Sequence, residues 1–81
     1  PMQLFICDFQ QEREGIVVLH NQPALINQLK KVLRAKLGYE FYIQKKNAER
    51  RYRVRLLDWD TENMTVEVRE TLLPPSQTKK L

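Results

Sequence analysis

Cysteine and histidine each occur once in this chain of 81 residues, and glycine only twice. A lone cysteine excludes an internal disulfide framework and any zinc site built on cysteines. Cys7 ends an apolar run that starts at Met2, so a buried thiol is expected there rather than a nucleophile. His20 has no cysteine or obvious carboxylate at ligand spacing, and reads as a surface histidine just ahead of a helix. Glycines only at Gly15 and Gly38 exclude a glycine-rich phosphate loop. No serine–histidine–aspartate set is visible. Asp58, Asp60 and Glu62 lack the glycine and terminal glutamate of a calcium loop, so turn chemistry is expected of them. No apolar run approaches the ~18 residues of a membrane helix, and the start does not resemble a signal peptide. These absences argue against an enzyme complete within the chain, with no catalytic, metal or cofactor residue to name. They argue equally against a membrane partner, and the single thiol fits a reducing cytoplasm.

Positive charge is what the chain has in quantity. Fourteen Lys and Arg stand against 10 Asp and Glu, for a net charge of +4 and a pI near 9.5. A chain this short makes one domain with a thin core, burying roughly 60% of its unfolded surface. The charge is unevenly spread. Glu40 and Glu49 are the sole acids between Lys30 and Arg55, a stretch dense in Lys and Arg. A basic centre of this kind favours a polyanionic partner, with RNA the leading candidate.

The apolar pattern predicts about five strands and one helix. Met2–Cys7 and Ile16–Leu19 are short runs of strand formers. Asn21 is a plausible N-cap and Pro23 suits the first helical turn. The helix is expected to run to about Ala35 and stop before Gly38, whose tolerance of positive φ suits a helix exit. Leu25, Ile26, Leu29, Val32 and Leu33 form its apolar face, with Asn27, Lys30, Lys31 and Arg34 opposite. Tyr39–Gln44, Arg51–Asp58 and Met64–Arg69 alternate as strands of a meander. The predicted fold is mainly β with one helix: a small antiparallel β-barrel, closed or half-closed, plugged by the helix. Residues 71–81 contain Pro74-Pro75 and read as a linker towards a further domain, after a folded unit of residues 2–70.

Two basic groups emerge from this pattern. Lys30, Lys31 and Arg34 lie on the wet face of the helix, where cations also suit the helix dipole. Arg51, Arg53 and Arg55 lie on the wet face of a strand. The turn register places Glu67 near Arg55, whereas Arg51 and Arg53 have no facing acid evident, and an anion would relieve their mutual repulsion. Tyr42, opposite Phe41 and Ile43, is a candidate platform for a base or a cover for a neighbouring strand. Trp59 at a turn edge reads as a lid on the barrel end.

The run Met2-Gln-Leu-Phe-Ile6, the helix ending Leu29-Lys-Lys-Val-Leu-Arg34, and then Gly38 resemble the start of the ribosomal RNA small-subunit methyltransferase E family. The resemblance spans roughly Met2 to Arg69. It implies a PUA-like barrel preceding a knotted SPOUT domain that uses S-adenosylmethionine to methylate N3 of a uridine in 16S ribosomal RNA. The barrel would hold and orient the RNA, while the methyl-transfer machinery would lie beyond Leu81. The resemblance also implies a homodimer formed through that further domain and a monomer for this part alone. Arg34 is the one candidate contact carried over by motif; Lys30, Lys31, Arg51, Arg53 and Arg55 come from charge and face. The chain departs from the family pattern at Asn27 and Gln28, at Tyr39, and across Lys45–Arg50. The competing expectation is a non-enzymatic barrel whose basic face meets an acidic protein.

Overall fold

The computed structural model describes residues 2–10 and 13–73. The five strands are β1 (Leu4–Cys7), β2 (Ile16–Leu19), β3 (Glu40–Lys45), β4 (Arg51–Trp59) and β5 (Met64–Leu72). They form one sheet in the order β1-β3-β4-β5-β2, which curls into a half-barrel with β1 and β2 as its two edges. A helix, α1 (Pro23–Asn27), continues into a π-helical turn over Gln28–Val32. The fold is therefore mainly β with one helix. The meander β3-β4-β5 and the β2–β5 pair are antiparallel, whereas β1 runs parallel to β3. That parallel pair is the one departure from an antiparallel sheet. It arises because β2 and the helix intervene before the chain returns beside β1, as a parallel crossover requires.

Strand alternation is realised residue by residue. Phe41 and Ile43 of β3, Val54 and Leu56 of β4, and Met64 and Val66 of β5 are buried on the concave side. Leu25, Ile26 and Leu29 of the helix join them in one apolar cluster with Cys7, Val17 and Leu19. Half-buried aromatics extend this core: Phe5 meets Phe41 edge-on at 5.8 Å, and Phe9 meets Tyr52 at 5.9 Å. β2 follows a two-residue turn at Glu14-Gly15. Both residues have positive φ, and Arg13 and Ile16 exchange backbone bonds across it. This mirror-image turn matches the twist of paired strands, and glycine takes its second position without steric conflict.

The helix differs from its sequence expectation at both ends. Gln22, not Asn21, is the N-cap, and its side chain makes no capping bond. Asn21 instead adopts φ +56, and its N–H donates to Asn63 Oδ1. At the other end the Leu33 N–H bonds to Gln28 O, five residues back, and the Ala35 N–H bonds to Leu29 O at 2.8 Å. Such a turn holds one more residue than an α turn, so everything after Leu29 is rotated around the axis. Leu33 keeps its place against the core, but Val32, expected on the apolar face, is turned out and is 69% exposed. The chain leaves the helix at Arg34, which has φ +55. Gly38, expected as the exit, has φ +93 and serves the approach to β3, where its N–H bonds to Leu56 O. β5 runs through Thr71 and Leu72, the first two residues of the predicted linker. Leu73 follows exposed, and residues 74–81 lie outside the described residues. Among the described residues no helix is long and apolar enough to cross a membrane.

Candidate nucleic-acid interface

The two basic groups sit on opposite sides of the sheet. Helix and strand share the concave core through Leu29, Val54 and Leu56. Alternation along β4 then sends Arg51, Arg53 and Arg55 to the convex face, away from the helix. Lys30, Lys31 and Arg34 stay on the helix side.

At the helix end, Lys30, Lys31, Arg34 and Lys36, with Ala35 between, line a shallow open hollow. The wide last turn and the left-handed Arg34 wrap the chain round on itself, which brings these cations together. Among the described residues no carboxylate makes a salt bridge to any of the four. Lys30 is partly engaged: its Nζ stands 5.0 Å from the centre of the Trp59 ring, a cation–π arrangement. Trp59 is half-buried against the core beside it, as a lid would be. The neighbouring turn is fixed by Asp60, whose Oδ1 accepts the N–H groups of Glu62 (2.8 Å) and Asn63 (2.7 Å). Those two bonds, aided by Lys30 nearby, hold the Asp60 carboxyl below its ordinary value. The turn thus uses its acids as turn residues.

The convex face is a different environment. Arg53 is 27% exposed and bonds Glu40 at 3.0 Å and Glu70 at 3.1 Å. The Glu70 bond first, then Glu40, raises its guanidinium above the ordinary arginine value. Arg51 donates through Nε to Gln44 Oε1 at 3.0 Å. The expectation that no acid faces Arg53 is corrected by its two carboxylate bonds, while Arg51 has an amide partner and no ion pair among the described residues. The Glu70 bond comes from a bulge: the β4–β5 register steps between Arg53 and Val54, leaving Arg69 without a facing residue and bringing Glu70 opposite Arg53. Arg55 does face Glu67, but that carboxylate bonds Arg69 at 3.3 Å. The Arg55 guanidinium reaches instead towards the loop after the helix, where a Cβ on Gly38 would stand 3.6 Å from Nη2. Tyr42 is half-buried on this convex face, between Leu4 of β1 and Arg53 of β4, and is outside the core.

A second hollow opens at the seam between the edge strands, with Asp8, Phe9, His20, Gln22 and Lys45 among its lining. Acid, imidazole and ammonium mix there, so it lacks the single charge of the helix end. Cys7 is buried close by, and desolvation, aided by Asp8, pushes its thiol up to about 11. A thiol so placed is inert at neutral pH.

The fold has a known counterpart. It is shared with part of a predicted RNA methyltransferase from Thermotoga maritima, with a TM-score of 0.63 at 16% identity. The match covers 91% of this chain and 33% of that protein, so the chain spans a third of its length. At this identity the likeness is one of fold. No family model and no curated protein matches the chain.

Charge patterning thus located the helix group, and the structure adds Lys36 to it. A search for helical spacing misses Lys36, because it lies beyond the helix and reaches the hollow only through the turn at Arg34. The acids that bind Arg53 were also missed. Glu40 sits diagonally across one strand pair, and Glu70 arrives through a bulge that alternation does not reveal.

Proposed function

We propose that this chain is the PUA-like RNA-binding domain of a methyltransferase acting on 16S ribosomal RNA, in the cytoplasm. The observation that carries the reading is the gathering of Lys30, Lys31, Arg34 and Lys36 around one open hollow, on a half-barrel built like a third of a predicted RNA methyltransferase. Phosphates meet these cations, with Arg55 and Arg51 able to engage a longer strand that passes round to the convex face. Arg53 contributes by bracing that face, since its Nε is held by Glu70 and its Nη1 by Glu40. Phosphate contacts of this kind position an RNA without choosing its sequence, so selection of the uridine falls to a second domain. In this reading S-adenosylmethionine and the homodimer contact also belong to that second domain, and the present domain alone is a monomer.

The test is a titration of the chain with a labelled fragment of 16S ribosomal RNA across a salt series, beside a scrambled RNA of equal length. Binding that weakens steeply with salt supports the RNA platform, and preference for the ribosomal fragment supports the narrower assignment. Absence of binding even at low salt removes the reading in favour of an acidic protein partner.

A further inference from the structure

We propose that the hollow at the helix end takes an unpaired stretch of RNA, its phosphates among Lys30, Lys31, Arg34 and Lys36 and its bases against Val32 and Leu37. The proposal rests on the RNA-binding reading above and refines it.

Three features meet within the eight residues Lys30 to Leu37. The π turn is the first. Widened turns of this type are rare and recur at functional sites. Here the turn ejects Val32 from the core face that an α turn would have given it. The second is Arg34, an arginine at φ +55, where glycine or asparagine is the unstrained choice. Strain retained at one residue points to a use for its side chain, and the Arg34 side chain lines the hollow. The third is apolar exposure. Val32 is 69% and Leu37 59% exposed, and they are interleaved in sequence with the residues that line the hollow, Val32 directly after Lys31 and Leu37 directly after Lys36. Cations alone suit any polyanion. Cations interleaved with exposed aliphatic groups suit a polyanion that also offers apolar faces. An unpaired strand does so, because its bases are free to leave the stack, whereas a duplex hides those faces between neighbouring pairs.

The experiment uses the whole chain and fluorescence anisotropy. The ligands are a labelled unpaired oligoribonucleotide of about eight nucleotides, the same sequence annealed to its complement, and inorganic polyphosphate as an unlabelled competitor. We expect the unpaired strand to bind more tightly than the duplex and to resist displacement by polyphosphate at equal charge. The double variant Val32→Ser, Leu37→Ser loses about tenfold in affinity for the unpaired strand, or ~1.4 kcal/mol. Its salt slope is unchanged, since no charge is removed. The variant Lys31→Ala, Lys36→Ala flattens that slope by about 0.7 for each phosphate left without its lysine. Leu37→Ser alone, in the loop and clear of the helix, repeats the apolar test if the double variant melts early. Equal binding of duplex and single strand, equal displacement by polyphosphate, or unchanged affinity in the serine variants overturns the proposal and leaves the RNA reading intact. Failure of every RNA to bind at low salt removes both.

Discussion

Arg34 stands where local stability and use of the side chain pull apart. Its left-handed backbone ends the helix and places its guanidinium among three lysines, at the expense of a conformation that a Cβ disfavours. Arg34→Gly is therefore expected to stabilise the domain by ~0.5–1 kcal/mol, a rise of a few degrees in Tm for a chain this size. The same substitution weakens RNA binding and flattens the salt slope by about 0.7. Thermal melts by circular dichroism and anisotropy titrations of the one variant check both halves, and a less stable variant would show that the strain argument is wrong. Cys7 makes a second prediction at this scale. Its thiol ionises at about 11 in the fold against an ordinary 9.0, because burial disfavours the thiolate. Below 9 both folded and unfolded chains keep the proton, and stability is unaffected. Above 9 the unfolded chain releases it while the folded chain holds it, so stability falls as pH rises towards 11, by up to ~2–3 kcal/mol. Urea melts below pH 9 and near pH 10, compared with Cys7→Ala, isolate this contribution from the other groups that titrate there.

At the scale of elements, the convex face is held by a brace across three strands: Glu40 of β3, Arg53 of β4 and Glu70 of β5. Arg53→Ala leaves two carboxylates near one another without their shared cation. The variant is expected to melt earlier than the parent while its salt slope for a short RNA is unchanged; a flattened slope would mean that Arg53 touches phosphate after all. The five strands were legible in the sequence, β1 and β2 as short apolar runs and the three meander strands because their apolar residues alternate: Phe41 and Ile43, Val54 and Leu56, Met64 and Val66 all fall on the buried side. The pairing of Arg53 was not legible. Extending the Arg55–Glu67 register by two residues sets Arg53 against Arg69, a pair of like charges, and only the bulge substitutes Glu70. Nor was the helix end legible. A period of 3.6 residues assigns Val32 to the core and passes over a turn that holds one residue more. The helix cations were found all the same, because charged residues at a solvated end stay outside however the last turn is wound.

For the molecule as a whole, the division of its cations decides what a salt series reads. The six basic residues that charge and face single out are three on the helix side and three on the convex side, with the sheet and its core between them. A short unpaired strand engages one side at a time. With about four phosphates neutralised at the helix end, by Lys30, Lys31, Arg34 and Lys36, the slope of log K against log salt for such a strand is expected near −3, at roughly 0.7 per phosphate. Six phosphates neutralised together would give about −4. A longer RNA that leaves the hollow and passes the loop at Gly38 reaches Arg55, whose guanidinium already extends to that loop. Its slope should steepen stepwise with length. A series of unpaired oligonucleotides of increasing length, each titrated at several salt concentrations, measures this directly. A slope near −3 that grows with length places the first phosphates at the helix end and the later ones beyond it. A slope near −4 for the shortest strand would mean that cations of both groups meet one ligand at once, and would overturn the division of the cations between the two sides of the sheet.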